Sequence, residues 1–167
     1  MPLTLDNQIL TEEGWKDYKD IKRKHPGPDG KPTGENDILV CLDITNNTIV
    51  KEQFVGELYL SKSNRVIYSI KNDYVDLTVS ESHSFPYKFN DNDNIKTDRL
   101  VEIMYNMTKN NIDKFYLFHT IDNNINKIEI KKDEIFRNII DTDIFSFITQ
   151  KSTFYVRRNN LEFWTSY

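Results

Sequence analysis

One cysteine, Cys41, is all that 167 residues contain. No disulfide can form within the chain. A lone thiol inside the apolar run Ile38-Leu39-Val40-Cys41-Leu42 reads as a small buried hydrophobe of a reducing compartment. Glycine and proline are also scarce, at five each, and three of each fall in residues 25–34. No G-x-G-x-x-G or similar phosphate-cradling loop can be assembled from them. No apolar run approaches the ~20 residues that cross a bilayer, and no basic segment followed by an apolar one opens the sequence. Positive charge is in the minority, 22 Lys and Arg against 26 Asp and Glu for a net −4, so the basic face of a nucleic-acid binder is missing. His25, His83 and His119 stand at no metal-ligand spacing from one another or from Cys41. A two-histidine phosphodiesterase is excluded as well: the hydroxyl it needs two positions after each histidine is replaced by Phe85 and Ile121. These shortages predict a soluble, intracellular chain with no metal, no cofactor, no nucleic acid and no membrane among its partners.

What is present is β-rich. Hydrophobic residues make up 38% and aromatics 13%, enough for one globular domain spanning residues 1–167. The apolar run at residues 38–42 predicts a buried strand, turned by Asn46-Asn47 toward Ile49-Val50. Residues 53–60 and 65–70 read as strands, with Ser61-Lys62-Ser63-Asn64 as the turn between them. Residues 74–79 alternate with period two. Residues 115–118 and 125–130 read as a hairpin joined by Asp122-Asn123-Asn124, and residues 144–148, 153–156 and 161–164 complete the set. Leu100, Ile103, Met104 and Met107 follow helical spacing, with Thr97 or Asp98 as N-cap. Residues 133–140 are expected to form a second helix. Lys22-Arg23-Lys24 reads as a solvated run, and residues 22–36 as a loop insertion holding most of the glycine and proline.

Three stretches carry more than secondary structure. The first is Leu3-Thr4-Leu5-Asp6-Asn7-Gln8-Ile9-Leu10-Thr11-Glu12-Glu13-Gly14-Trp15, the second Val79-Ser80-Glu81-Ser82-His83-Ser84-Phe85-Pro86. The third joins Ile144-Phe145-Ser146-Phe147-Ile148-Thr149 to Ser152-Thr153-Phe154-Tyr155-Val156-Arg157-Arg158-Asn159-Asn160-Leu161-Glu162-Phe163-Trp164-Thr165. In this order they resemble the opening, Thr-x-x-His and closing blocks of inteins and other Hint domains, and the resemblance spans the chain. Ser80 stands at the Thr position of the second block. The Arg-Arg-Asn and Trp-Thr ending is similar to that of many phage and viral inteins, which implies a viral or phage setting, with the chain as a virion component. The fold implied is a mostly β, Hint-like horseshoe of many short strands with one or two short helices.

Protein splicing explains why such blocks need their spacing. An opening Cys or Ser attacks the carbonyl before it, a block-two histidine distorts that amide and protonates its nitrogen, and a terminal Asn cyclises to cut the other end. Both ends must therefore meet beside the histidine. Counting back from Gly14-Trp15, the nucleophile position falls on Pro2, which has no reactive side chain and no N–H. Counting forward from Trp164-Thr165, the asparagine position falls on Tyr167, which cannot form a succinimide. Some inteins use a Cys in the strand before the end instead, and Ser146 occupies that place. The resemblance thus names His83, Ser80, Ser146 and Thr165 as residual splicing-cleft positions. For His83 the competing role, a histidine satisfied in a β core, is favoured by the loss of both terminal groups. The expectation is a degenerate domain acting as a structural or protein-interaction module with a protein partner, not an enzyme on a separate substrate. Two alternatives stand beside it: a self-splicing or self-cleaving mini-intein with altered ends, and an unrelated β-rich binding protein.

Overall fold

Paired residues with positive φ set the hairpins that build this fold. In the computed structural model, which describes residues 3–151 and 153–166, the strands begin with β1 (Leu3–Thr4), β2 (Gln8–Thr11) and β3 (Gly14–Asp17). A small exposed hairpin of β4 (His25–Pro26) and β5 (Pro32–Thr33) follows, then β6 (Ile38–Asp43) and β7 (Thr48–Gln53). Next come the long β8 (Gly56–Lys71), then β9 (Asp76–Ser80), β10 (Ser84–Tyr87), β11 (Lys96–Arg99) and the helix α1 (Leu100–Lys109). The chain continues through β12 (Lys114–Ile121), β13 (Asn124–Lys131), β14 (Ile135–Ile148), β15 (Thr153–Arg158) and β16 (Leu161–Ser166).

The turns explain the pairing. Asp122 and Asn123 (φ 48° and 63°) join β12 to β13, and Asn159 and Asn160 (φ 50° and 63°) join β15 to β16. Two consecutive left-handed residues make the tight hairpin turn whose twist matches that of the strands, and Asp and Asn tolerate that region better than other side chains. At the first hairpin Thr11 accepts the Glu13 N–H at 3.2 Å and donates to the Gly14 carbonyl at 2.8 Å, while Gly14 takes φ 115°.

The strands assemble into two principal layers. β1, β14, β8 and β9 close into a small barrel, and a broader sheet runs β11-β10-β16-β15-β2-β6-β7, with β3 added to β2. β12 and β13 form a separate ribbon. The core holds Phe85, Phe115, Phe145, Phe147, Phe154 and Phe163, all fully buried, and α1 closes it with Leu100, Ile103 and Met107. Thr153 stitches β15 to β6 by donating to the Leu42 carbonyl at 2.7 Å and accepting the Leu42 N–H at 2.8 Å. No helix among the described residues is long and apolar enough to cross a membrane.

Two expected elements differ. Residues 61–64 are not a turn: β8 continues through them because β14 pairs with it from Gly56 to Ile70. They are polar because they are exposed there, not because the chain reverses. Residues 133–140 are not a helix. A short 3-10 turn, Lys132–Glu134, leads into β14, where the β-branched Ile135, Ile139 and Ile140 pair with β8. The helix at residue 100 forms as expected but is capped at Arg99, whose N–H donates to Glu102 at 3.1 Å. The predicted loop insertion at residues 22–36 holds the exposed β4–β5 hairpin.

A candidate cleft around His83

The short turn between β9 and β10 is where the described ends of the chain converge. Its backbone is closed by the His83 N–H donating to the Ser80 carbonyl at 3.0 Å. The His83 carbonyl in turn accepts the N–H of Leu100 at 2.8 Å, anchoring the first residue of α1. Just before the turn, Val79 pairs with Leu3; just after it, Ser84 pairs with Ser166. Leu3 also lies opposite Phe145 of β14, so Ser146 follows directly in that strand. Strand pairing alone therefore brings the first and last described strands to either side of one histidine.

The four predicted residues can now be placed. His83 is fully buried, its ring 4.7 Å from that of Phe85, and its Nε2 is hydrogen-bonded to Thr165 Oγ1, also fully buried. The hydroxyls of Ser80 and Ser82 lie 3.2 Å apart. Ser146 is fully buried, and its hydroxyl finds no hydrogen-bond partner among the described residues. A buried hydroxyl of that kind forgoes a bond worth about 1 kcal/mol or more. Pro2 and Tyr167 lie outside the described residues, as does Ser152.

The other candidates from the sequence stand apart from this turn in the fold. His25 is on the exposed β4–β5 hairpin. His119, half-buried on β12 opposite Asn126, lines a surface groove with Asn72, Tyr74 and Lys127. Burial holds its imidazole below the ordinary value, opposed by Glu162. Burial pushes the Cys41 thiol up to about 12, so no thiolate forms there at neutral pH. Among the described residues no three His, Cys, Asp or Glu side chains are grouped to hold a metal ion.

A second cluster was not foreseen. Asp76, at the start of β9 with a side chain 7% exposed, accepts hydrogen bonds from Arg158 and, at 2.9 Å, from Asn159, both at the β15–β16 turn. Arg158 also donates to Asp6 at 2.6 Å, and Lys71 stands 3.5 Å from Asp76. Burial would raise the Asp76 pKa, but the Asn159 bond and the charges of Arg158 and Lys71 outweigh it and hold the carboxyl below its usual value. This latch joins the β1–β2 connection, β9 and the last hairpin, which carries Thr165. Residues 76 and 158 are far apart in sequence, so only the strand order reveals it.

Comparison with known proteins addresses the architecture. No family model and no curated protein matches the chain. Solved structures do. A splice-inactive variant of the AceL NrdHF class 3 split intein aligns over 99% of this chain and 97% of its own, with a TM-score of 0.70 at 14% identity. A KlbA intein precursor from Methanococcus jannaschii gives 0.67 at 12% identity, over 99% of this chain and 90% of that one. A DnaB intein from Synechocystis sp. PCC 6803 gives 0.63 at 13% identity, over 99% of both chains. With so little identity over nearly the whole length, the likeness is one of backbone course. The chain has the mostly β, Hint-like fold of inteins.

Proposed function

We propose that the chain is a Hint-fold domain that no longer splices and serves as a structural or protein-binding module, in a viral or phage setting. Pro2 and Tyr167 carry this reading. Splicing needs an acyl shift at one end, onto a thiol or hydroxyl, and succinimide formation at the other. Proline offers no nucleophilic atom for the first, and the phenol of tyrosine cannot supply the carboxamide nitrogen for the second. His83 then acts as a bonded core residue linking the β9–β10 turn to β16. The test embeds the chain between two reporter domains and follows the precursor on gels and by mass spectrometry, with circular dichroism to verify folding. Intact precursor alone is expected. Ligated reporters that disappear in His83→Ala overturn the reading.

The unbonded Ser146 hydroxyl favours a second reading, cleavage at one end only. The Ser146 oxygen attacks the carbonyl carbon of residue 1, the bond to the Pro2 nitrogen breaks, and His83 returns the proton to that nitrogen. The product is an ester, which hydroxylamine cleaves to release the preceding segment as a hydroxamate. The splice-inactive class 3 split intein has a cysteine and an asparagine replaced by alanine. That pairing of one thiol with one carboxamide supports looking for a single-ended reaction here, where no carboxamide stands at residue 167. Hydroxylamine-dependent cleavage that is lost in Ser146→Ala supports this second reading; stable precursor in hydroxylamine rules it out.

A further inference from the structure

The ribbon of β8 and β14 leaves long strand edges unpaired, one of them on β14. β8 covers one side of β14 along its whole length. On the other side, among the described residues, β1 reaches only Ile144 and Phe145. The edge at residues 135–142 therefore presents open backbone donors and acceptors. It also carries exposed apolar side chains: Phe136 at 53%, Ile139 at 63% and Ile140 at 37%. Natural proteins shield such an edge with lysine, proline, bulges or a covering segment. Here the one irregularity in the register lies beyond the exposed run, between Thr142 and Ile144.

We propose that this edge is a homodimer interface, in which β14 pairs antiparallel with β14 of a second copy about a two-fold axis through Ile139. The sequence of the edge is self-complementary in that register. Ile139 meets Ile139 of the other copy, and Arg137 falls opposite Asp141 twice, once on each side of the axis. Arg137, Ile139 and Asp141 share one face of the strand, so the apolar contact is flanked by two opposite-charge pairs. Asp141 is half exposed and, among the described residues, is paired with Lys62 alone at 3.8 Å, which leaves it open to a second cation. On the opposite face Phe136 of each copy lies across from Thr142 of the other. There a shallow groove of about 360 Å³, lined in part by Leu5, Ile140 and Thr142, receives the ring. Moving the axis to Asn138, the next register this edge allows toward the start of β14, puts Arg137 opposite Ile139 and forfeits both charge pairs. The two-fold arrangement uses the edge once per copy and so closes at a dimer.

Charge reversal tests the register. Wild-type chain is expected to sediment as a concentration-dependent monomer–dimer equilibrium in the micromolar range. Arg137→Asp places acid opposite acid, and Asp141→Arg places base opposite base; each is expected to weaken association at least about tenfold. The double variant Arg137→Asp/Asp141→Arg restores both pairs and is expected to recover wild-type association. An equimolar mixture of the two single variants is expected to form the heterodimer. Both substitutions sit at exposed positions, so unchanged circular dichroism and thermal midpoint separate interface loss from misfolding. A wild-type chain that stays monomeric at several hundred micromolar overturns the proposal. So do single variants that associate as wild type, or a double variant and mixture that fail to recover.

Discussion

Replacing Arg158 by alanine tests whether the buried latch, and not the hairpin turn alone, holds the last two strands against the first. Arg158 donates from Nε to Asp6 at 2.6 Å and from Nη1 to Asp76, and its side chain is 22% exposed. Asp76 is 7% exposed and would be left with Asn159 at 2.9 Å and Lys71 at 3.5 Å. Stripping a fully buried charge of its only partner costs about 3–5 kcal/mol. That is an upper bound here, because Asp76 retains two partners and Arg158 is partly solvated. Loss of one charge-assisted bond to a mostly buried carboxylate, about 1.5–3 kcal/mol, is the better guide. The exposed bond to Asp6 adds little. A loss of about 2 kcal/mol lowers the thermal midpoint by roughly 4–8 °C in a chain of this size. Urea unfolding should show the midpoint falling with its slope unchanged.

A double-mutant cycle with Asp76→Ala isolates the pair, and a coupling of at least about 1 kcal/mol is expected. Arg158→Ala unfolding within about 0.5 kcal/mol of wild type, or no coupling in the cycle, would show that the Asn159-Asn160 turn and the β ladders suffice and that the latch is incidental.

Acid should destabilise the fold in a defined window. Glu13 is held down to about 2 by hydrogen bonds and charge from Lys16 and Lys22, and Asp43 to about 2 chiefly by Lys151 and Asn46. Since these carboxyls bind protons more weakly when folded, their stabilisation is complete above the unfolded values near 4 and is lost as pH falls through about 2. Urea midpoints measured from pH 6 to pH 2 should decline below about 4, and an unchanged midpoint at pH 2.5 contradicts the assignment. Cys41 should resist a thiol reagent in the native chain and react at the unfolded rate in denaturant, because it is buried and its pKa is near 12; native labelling as fast as unfolded refutes its placement. Ile103→Ala should cost about 2–5 kcal/mol, because the side chain is fully buried where α1 meets the core; a loss under 1 kcal/mol on urea unfolding would mean that α1 does not seal it.

The elements that were legible from sequence are those whose cause is local. A two-residue Asp-Asn or Asn-Asn turn, an alternating strand or a 3.6-residue stripe is written within a dozen positions, and β12–β13, β15–β16 and α1 appear where those signals stand. The elements that were misread are those decided by a partner. Ser61-Lys62-Ser63-Asn64 has the composition of a turn, and residues 133–140 open with the acidic pair Asp133-Glu134, yet both belong to the β8–β14 ribbon: Ser63 and Asn64 pair with Thr142 and Asp141, and residues 135–140 pair with residues 65–70. Neither segment holds the information alone. The site divides along the same line. His83 and Thr165 are singled out by motif blocks, whereas Asp76, which ties β16's hairpin to the start of β9, has no neighbouring signal at all.

That division also explains how a Hint fold could persist under the proposed loss of splicing. Among the described residues, the bonds that draw the chain ends together include the backbone ladders Leu3–Val79 and Ser84–Ser166, the His83–Thr165 contact and the Asp76–Arg158 latch. Each is made by a residue other than those at positions 2 and 167. The convergence of the ends is thus secured by residues that need take no covalent part in a reaction, and substitution at the two reactive positions need not loosen it. Placing the missing groups by Pro2→Cys together with Tyr167→Asn is accordingly expected to shift stability by about 0.5 kcal/mol or less and so leave the thermal midpoint within about 2 °C. A midpoint displaced by 10 °C in either direction would mean that residues 2 and 167 are part of what holds the cleft, and that the fold and the splicing positions are not separable.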